Sequence, residues 1–302
     1  MTIRADRDIP TSVLQRFDQP LGQSASETPL LDPRLATVLT NTARIEQTAG
    51  ALRLAVGPTS AGAYCNAQLD DYHQRRPRNY LWRPPTLLRV RMRASHPASP
   101  AHPPSDDARA RASDYLRGTA GCGFWNASLS LAGGPPRPPE AIWFFAASPP
   151  SNMALTPGVP GFGWKAQVVH AHRLAALAAV PPLAATALWS RISGDERAAA
   201  RWLNRLTGAH EALLDPVAGS LSEWHDYEIE WTPEQARFRV DGRDVLEATR
   251  PPSGPLGFVV WIDTQYAIVT PRGTLRFGSL ATNEQWLELA SLSIQPLSNP
   301  TG

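Results

Sequence analysis

The chain has 302 residues, and its 29 basic and 27 acidic side chains give a formal net charge of +2. This balance argues against nucleic acid or an anionic membrane surface as the main partner. Thirty prolines and 21 glycines are typical of a loop-rich all-β protein, and one large β-domain accommodates this length.

The first 42 residues carry no clear periodic pattern, and we predict an irregular lead-in there. They contain no apolar segment of the kind found in signal peptides. No run of the sequence approaches the roughly 18 apolar residues of a membrane-spanning helix. Two cysteines, Cys65 and Cys122, are too few for a disulfide framework, so we expect both to be free and buried. Together these features predict a cytoplasmic location with no membrane partner and no nucleic-acid partner.

Alternation of apolar and polar side chains predicts several strands between residues 43 and 150. A hairpin is predicted over 43–56, followed by strands over 62–69 and 87–94. The arginines of the 87–94 strand share one face, which we interpret as solvated. Another strand begins near 121–126. The run EAIWFFAA at 140–147 is apolar on both faces and predicts a buried central strand.

Between about 165 and 214 the apolar residues recur at helical spacing among many alanines, which predicts two or three helices. Ser193 and Glu196 form a capping box, and Gly208 is a predicted helix stop. We interpret this stretch as an insertion in a single β-sandwich domain that spans 43–298. Three roles stay open for it: covering a sheet face, closing a cleft, or mediating self-association.

The most specific pattern is WHDYEIEWTPEQARFRVDGRDV at 224–245. Its alternation predicts two paired strands in which Glu228 and Glu230 face Arg237 and Arg239. Opposite charges at such positions contribute roughly 0.2–1 kcal/mol per pair. The dipeptide Asp241-Gly242 predicts a tight turn into a third strand, because both turn positions need positive φ.

This segment resembles the W-H-x-Y-x-x-x-W-T-P-x-x-x-x-x-x-V-D-G pattern of the family 16 glycoside hydrolases, members of the concanavalin A-like lectin and glucanase superfamily. The resemblance implies an all-β fold, an antiparallel β-sandwich of the jelly-roll type whose concave face binds carbohydrate. Non-catalytic lectin-like relatives share the hairpin, so the motif implies the fold more than the reaction. The matching residues are Trp224, His225, Tyr227, Trp231, Thr232, Pro233, Val240, Asp241 and Gly242.

Family 16 hydrolases carry E-x-D-x-x-E on a central concave strand, with the first Glu as nucleophile and the second as acid/base. In the matching strand, Glu140 stands at the nucleophile position, Ile142 at the Asp position and Phe145 at the acid/base position. These replacements predict that hydrolysis is lost. The alternative is a relocated pair of Glu140 with Asp263, because retaining hydrolysis needs two carboxyls roughly 5–5.5 Å apart.

Three functions therefore remain open: a non-catalytic carbohydrate-binding protein, a glycosidase of the β-glucanase type, and an interaction protein whose groove is filled by the helical insertion. The sequence has no zinc, EF-hand, P-loop or dinucleotide motif, so no cofactor is predicted. The resemblance allows a structural Ca²⁺, whose ligands the sequence does not place. The predicted partner is a glycan, and its predicted binding residues are Trp125, Asn126, Trp143, Trp261, Gln265 and Tyr266.

Overall fold

The computed structural model describes residues 12–17, 31–74, 79–100, 114–127, 138–171, 197–214, 218–270 and 274–297. Within these ranges the chain forms eighteen strands and one α-helix. The helix, α1, spans Arg197–Thr207. The first nine strands are β1 (Val13–Arg16), β2 (Ala36–Thr40), β3 (Arg44–Thr48), β4 (Ala51–Val56), β5 (Asn66–Asp70), β6 (Thr86–Ala94), β7 (Thr119–Trp125), β8 (Glu140–Ala147) and β9 (Asn152–Met153). The others are β10 (Gly163–His170), β11 (His210–Leu213), β12 (His225–Trp231), β13 (Gln235–Val240), β14 (Arg243–Thr249), β15 (Gly257–Asp263), β16 (Gln265–Val269), β17 (Leu275–Ser279) and β18 (Gln285–Pro296).

Two large sheets build the molecule. The eight-stranded sheet has the order β14-β13-β12-β6-β18-β4-β3, with β1 also paired to β18. The seven-stranded sheet has the order β11-β10-β8-β7-β15-β5-β2, and β17-β16-β9 form a small third sheet. Both large sheets are antiparallel throughout. The predicted antiparallel β-sandwich is therefore confirmed.

The core lies between the two large sheets and is rich in aromatic side chains. Trp82, Trp164 and Trp231 are almost completely buried there. The ring of Phe144 from the seven-stranded sheet meets Tyr227 from the eight-stranded sheet at a centroid distance of 5.0 Å. Cross-sheet contacts of this kind bury large apolar areas, which is the main stabilising contribution in a sandwich. Cys65 and Cys122 are free and buried in the same core, and burial raises the pKa of the Cys122 thiol.

The hairpin motif forms the edge of the eight-stranded sheet as predicted. In the β12–β13 ladder Glu228 lies opposite Arg239, and Glu230 lies opposite Arg237. The turn at Asp241-Gly242 has φ values of 49° and 76°, so both positions adopt the left-handed conformation that a two-residue hairpin requires. On the other side of β12, Arg89 of β6 pairs with Glu228 at 2.7 Å. The arginine face of β6 is thus part of a network of ion pairs on the surface of the eight-stranded sheet.

The predicted irregular lead-in was wrong for the described part of residues 1–42. Strand β1 pairs with β18, and β2 pairs with β5 at the edge of the seven-stranded sheet. In β1 only Val13 is fully buried, whereas Leu14 is 72% exposed. Strands this short carry too few residues for alternation to show in the sequence. Their conformation is instead set by hydrogen bonding to strands that are distant in the chain.

The predicted helical stretch from about 165 to 214 was wrong at both ends. Residues Gly163–His170 are strand β10 and His210–Leu213 are strand β11, which pair with each other. In β10, Trp164, Ala166 and Val168 face the core and Lys165 and Gln167 alternate with them, but the alanine-rich sequence that follows favoured a helix. Helix α1 ends just before Gly208, whose φ of 54° agrees with the predicted stop. The predicted capping box at Ser193 lies outside the described residues.

None of the helices among the described residues is long and apolar enough to cross a membrane.

Candidate functional site

An aromatic row occupies the outer face of the seven-stranded sheet, the face turned away from the core. Strand alternation puts Ile142 and Phe144 into the core and leaves Trp143 and Phe145 of β8 on this outer face. Trp125 of β7 and Trp261 of β15 share the face because their strands pair with β8 and β7. We call these four residues the aromatic row. Three of them are the tryptophans that the sequence predicts to bind a ligand.

The rings of the aromatic row contact one another closely. The Trp143 ring centroid lies 5.8 Å from that of Trp125, 5.3 Å from that of Trp261 and 5.5 Å from that of Phe145. Tyr72 extends the row, with its ring 6.3 Å from Trp125. Trp125, Trp143 and Tyr72 are half-buried, whereas Trp261 is only 7% exposed. The row therefore offers aromatic surface at its Tyr72 end and is covered at its Trp261 end.

Two glycines of β7 make room for these rings. A Cβ on Gly121 would lie 2.8 Å from the Trp261 ring and 2.2 Å from the Phe144 carbonyl oxygen. Gly123 has a φ of 153°, and a Cβ there would lie 2.5 Å from Cα of Trp143. The strand between Trp143 and Trp261 must therefore lack side chains at these two positions. The glycine spacing of β7 is thus used for ring packing.

A buried polar network fixes the β10 side of the aromatic row. The Trp143 indole donates to Gln167 Oε1 at 2.6 Å, and Gln167 Nε2 donates to Glu211 Oε1 at 2.5 Å. Lys165 Nζ also donates to Glu211 Oε1 at 2.7 Å, and both charged side chains are 0% exposed. The Thr156 backbone amide donates to the other oxygen of Glu211 at 2.8 Å. The charge of the Glu211 carboxylate is compensated by Lys165, and both of its oxygens accept hydrogen bonds. Glu211 is therefore suited to positioning Trp143 through Gln167.

Asp263 lies at the opposite side of the aromatic row and is 5% exposed. Its Oδ1 accepts hydrogen bonds from the Thr119 hydroxyl at 2.8 Å and from the Gln265 amide at 3.0 Å. The Tyr64 hydroxyl lies 3.5 Å from Oδ2. Burial raises the pKa of Asp263 to about 6, although its hydrogen-bond donors lower it. Thr119 also accepts from the Trp261 indole at 2.9 Å, which links Asp263 to the aromatic row.

Glu140 and Asp263 do not form the carboxylate pair that the sequence suggested. Glu140 pairs in register with His170 at the first residue of β8. Asp263 lies in register with Thr119, which pairs with Ala147 at the last residue of β8. Seven residues of strand separate the two rows, about 23 Å at roughly 3.3 Å per residue. Glu140 also has the alternation of the core-facing residues, and its carboxylate lies 3.5 Å from the His170 imidazole. Sequence reasoning located both acids on strands correctly but had no access to strand register.

The other predicted ligand-binding residues lie apart from the aromatic row. Asn126 is 5% exposed, and its side chain joins the ends of β7 and β8 through the Pro138 carbonyl at 2.9 Å and the Glu140 amide at 3.3 Å. Gln265 is exposed and Tyr266 half-buried, and both belong to the small third sheet. We therefore assign Asn126 a structural role, and Gln265 lies at the margin of the outer face.

Sequence reasoning missed the polar partners of the aromatic row: Gln167, Lys165, Glu211, Thr119 and Tyr72. The alternation of Lys165 and Gln167 is the available signal, and the alanines around it favoured a helix. Among the described residues, no group of three His, Cys, Asp or Glu side chains is arranged to hold a metal ion. The structural Ca²⁺ that the resemblance allows stays a prediction.

No protein-family model matches the chain, and no curated protein matches it. Solved structures do match over almost the whole chain. One is described as an endo-acting O-glycanase of the human gut microbiota, with a TM-score of 0.50, 10% identity, and coverage of 94% of this chain and 98% of that chain. The fold is an antiparallel β-sandwich of the jelly-roll type.

Further neighbours of this jelly roll are glucanases and transglycosylases of the family 16 type. A Bacillus licheniformis β-glucanase has a TM-score of 0.47 and 10% identity, and it covers 96% of this chain and 100% of that chain. The laminarinase catalytic domain from Thermotoga maritima has a TM-score of 0.48 and 8% identity, with 97% and 99% coverage. At these identities the likeness concerns the fold alone.

Proposed function

We propose that this jelly roll binds a glycan on the outer face of its seven-stranded sheet without hydrolysing it. The observation that carries the proposal is the outer face of β8, where alternation leaves Ala141, Trp143, Phe145 and Ala147. A retaining glycosidase needs two carboxyls roughly 5–5.5 Å apart, and these four positions supply none. Aromatic side chains in their place favour stacking on the apolar face of a sugar ring over bond cleavage.

The half-buried end of the aromatic row supports weak binding. Tyr72, Trp125 and Trp143 present ring surface, and the Trp125 indole donates to the Tyr72 hydroxyl at 2.6 Å. The indoles of Trp125 and Trp143 already have internal acceptors, so the sugar would contact ring faces more than indole N–H groups. Rings held by their own hydrogen bonds lose little side-chain entropy on binding, which favours affinity.

Binding is tested with a glycan array, followed by calorimetry on the best ligand. Trp125→Ala is expected to weaken binding at least tenfold, because stacking on one half-exposed ring is lost. Trp286→Ala is the matched control, since Trp286 is a half-buried tryptophan of the eight-stranded sheet, stacked under Arg53. Equal losses in the two variants, or no glycan bound by the wild type, would refute the proposal.

Hydrolysis is tested in parallel on laminarin, lichenan and agarose. We expect no turnover from the wild type. Activity that disappears in Glu140→Gln or in Asp263→Asn would instead support the glycosidase alternative, and the two variants separate the carboxylates from each other.

A second candidate is an interaction protein whose groove is filled. The covered end of the aromatic row favours it, because Phe145 is 5% and Trp261 is 7% exposed. The Asn204 side chain of α1 donates to the Leu155 carbonyl at 3.0 Å, beside the Thr156 amide that binds Glu211. Light scattering of the wild type and of an Arg201→Glu/Arg205→Glu variant tests self-association through this helix. The cytoplasmic location stays a prediction.

A further inference from the structure

A cavity of about 260 Å³ lies at the end of the sandwich where β7 and β18 begin. This is the opposite end of β7 from Trp125, so the cavity is distinct from the aromatic row. The volume is below the roughly 300–1,000 Å³ of pockets for drug-sized ligands, which limits an occupant to an ion or one small sugar. Its polar lining includes His96, Tyr115, Arg117, Asn283 and Glu284.

Arg117 is held in place by its backbone, and its side chain has no ion-pair partner among the residues that the structure describes. The Arg117 amide donates to Gln285 Oε1 at 2.9 Å, and Gln285 Nε2 donates back to the Arg117 carbonyl. The guanidinium Nε is buried and makes no hydrogen bond, and Arg117 forms no ion pair within the described ranges. A buried donor without an acceptor costs free energy.

The other charged groups at the cavity are already engaged. The Glu284 carboxylate forms an ion pair with Arg44 at 2.8 Å. Burial lowers the pKa of His96, against the opposing charge of Asp114, so the imidazole is neutral at pH 7. His96 Nδ1 is hydrogen-bonded to the Ser95 hydroxyl at 2.7 Å. Among the described residues, the guanidinium of Arg117 is thus the cation of this cavity that lacks a counter-ion.

We propose that this cavity binds a small oxyanion, such as sulfate or the carboxylate of an acidic monosaccharide, through the guanidinium of Arg117. The planar fork of an arginine fits two oxygens of such groups at once, and half-buried Tyr115, which also lines the cavity, offers a neutral donor. The proposal does not depend on glycan binding at the aromatic row, because it uses none of the same residues.

Isothermal titration calorimetry with sulfate, phosphate, glucuronate and glucose tests the proposal, with chloride keeping the ionic strength constant. We expect saturable binding of at least one of the three anions and none of glucose. Arg117→Gln should weaken anion binding at least tenfold, and Arg117→Lys should weaken it less, because the charge remains without the fork. Arg243→Gln is the matched control, since Arg243 is exposed on β14 outside the cavity, and it should bind like the wild type.

Three outcomes would overturn the proposal. They are no saturable anion binding by the wild type, binding of glucose as tight as that of glucuronate, and equal weakening in Arg117→Gln and Arg243→Gln. The stability of Arg117→Gln in chloride gives an independent readout. We expect an unchanged or higher Tm, because an unpaired buried donor is removed, and a marked fall would mean that the side chain has a structural partner.

Discussion

The His225 imidazole and the Asp241 carboxylate lie 2.6 Å apart and join two positions of the hairpin motif. The second ring nitrogen of His225 lies 3.2 Å from the Ser220 carbonyl, and the second oxygen of Asp241 accepts the Asp226 amide at 2.9 Å. The motif therefore clamps the start of β12 to the turn after β13. Its histidine and aspartate are explained by the fold, without any catalytic role.

Replacing Asp241 should loosen this clamp. Asp241→Asn keeps a residue that tolerates the left-handed φ of 49° but removes the charge. We expect the free energy of unfolding to fall by about 1 kcal/mol, less than the roughly 1.5–3 kcal/mol of buried hydrogen bonds to charged groups, because the carboxylate is 48% exposed. Urea denaturation of the wild type and the variant measures this difference in unfolding free energy. Asp244→Asn, at an exposed ion pair with Arg239, is the control and should change stability by less than about 0.5 kcal/mol.

Stability should depend on pH through Asp263. Its pKa is raised to about 6 by burial, so the folded protein keeps a proton that the unfolded chain releases near the ordinary value of 3.8. The unfolding free energy should therefore decrease as pH rises from about 4 to 6 and level off above, by about 3 kcal/mol at 1.36 kcal/mol per unit. Denaturation from pH 4 to 7 measures the slope, and Asp263→Asn should flatten it. A wild-type curve that rises over this interval would contradict the assignment.

At lower pH the unfolding free energy should change in the opposite direction with pH, because of Asp241. Burial alone would raise the pKa of this carboxyl, but the Asp226 amide and the His225 side chain lower it below 3.8. Its stabilisation is present above the unfolded value and is lost as pH falls through the folded value. We therefore expect an additional loss of stability below about pH 3.8 that is absent in Asp241→Asn, measured by circular dichroism during acid titration.

Gly121→Ala should disturb the aromatic row. The new methyl group would lie 2.2 Å from the Phe144 carbonyl oxygen and 2.8 Å from the Trp261 ring, so strand or ring must move. We expect a loss of about 1–3 kcal/mol from overpacking, with a change in tryptophan fluorescence. At Gly62 nothing lies within 4 Å of an added Cβ and only the φ of 85° is strained, so Gly62→Ala should cost about 1 kcal/mol without the spectral change.

Removing Lys165 should leave Glu211 as an uncompensated buried charge. Lys165→Met is expected to lower the unfolding free energy by about 3–5 kcal/mol in chemical denaturation. The double variant Lys165→Met/Glu211→Gln removes both charges and should recover much of the loss. Equal destabilisation in the single and double variants would show that the side-chain shapes matter more than the charges.

The strands with clear alternation were predicted from the sequence with good boundaries. The hairpin at 224–245 and the β6 strand each have one face in the core, so their period of two is visible. The edge strands β1 and β2 were missed because their neighbours, more than their own side chains, determine their conformation, and β10 was missed because an alanine-rich sequence follows it. The outer-face tryptophans were identified as candidates, while their polar partners were not.

The sequence by itself determined the sandwich and the hairpin at 224–245, because these depend on local alternation and on turn residues with positive φ. Only the tertiary structure decided that Glu140, on β8, and Asp263, on β15, lie at opposite ends of the seven-stranded sheet. It also brought Lys165, Gln167 and Glu211 to Trp143 and left Arg117 beside a cavity. The physical reason is that strand register sets which side chains meet, and register arises from pairing between segments that are far apart in the chain.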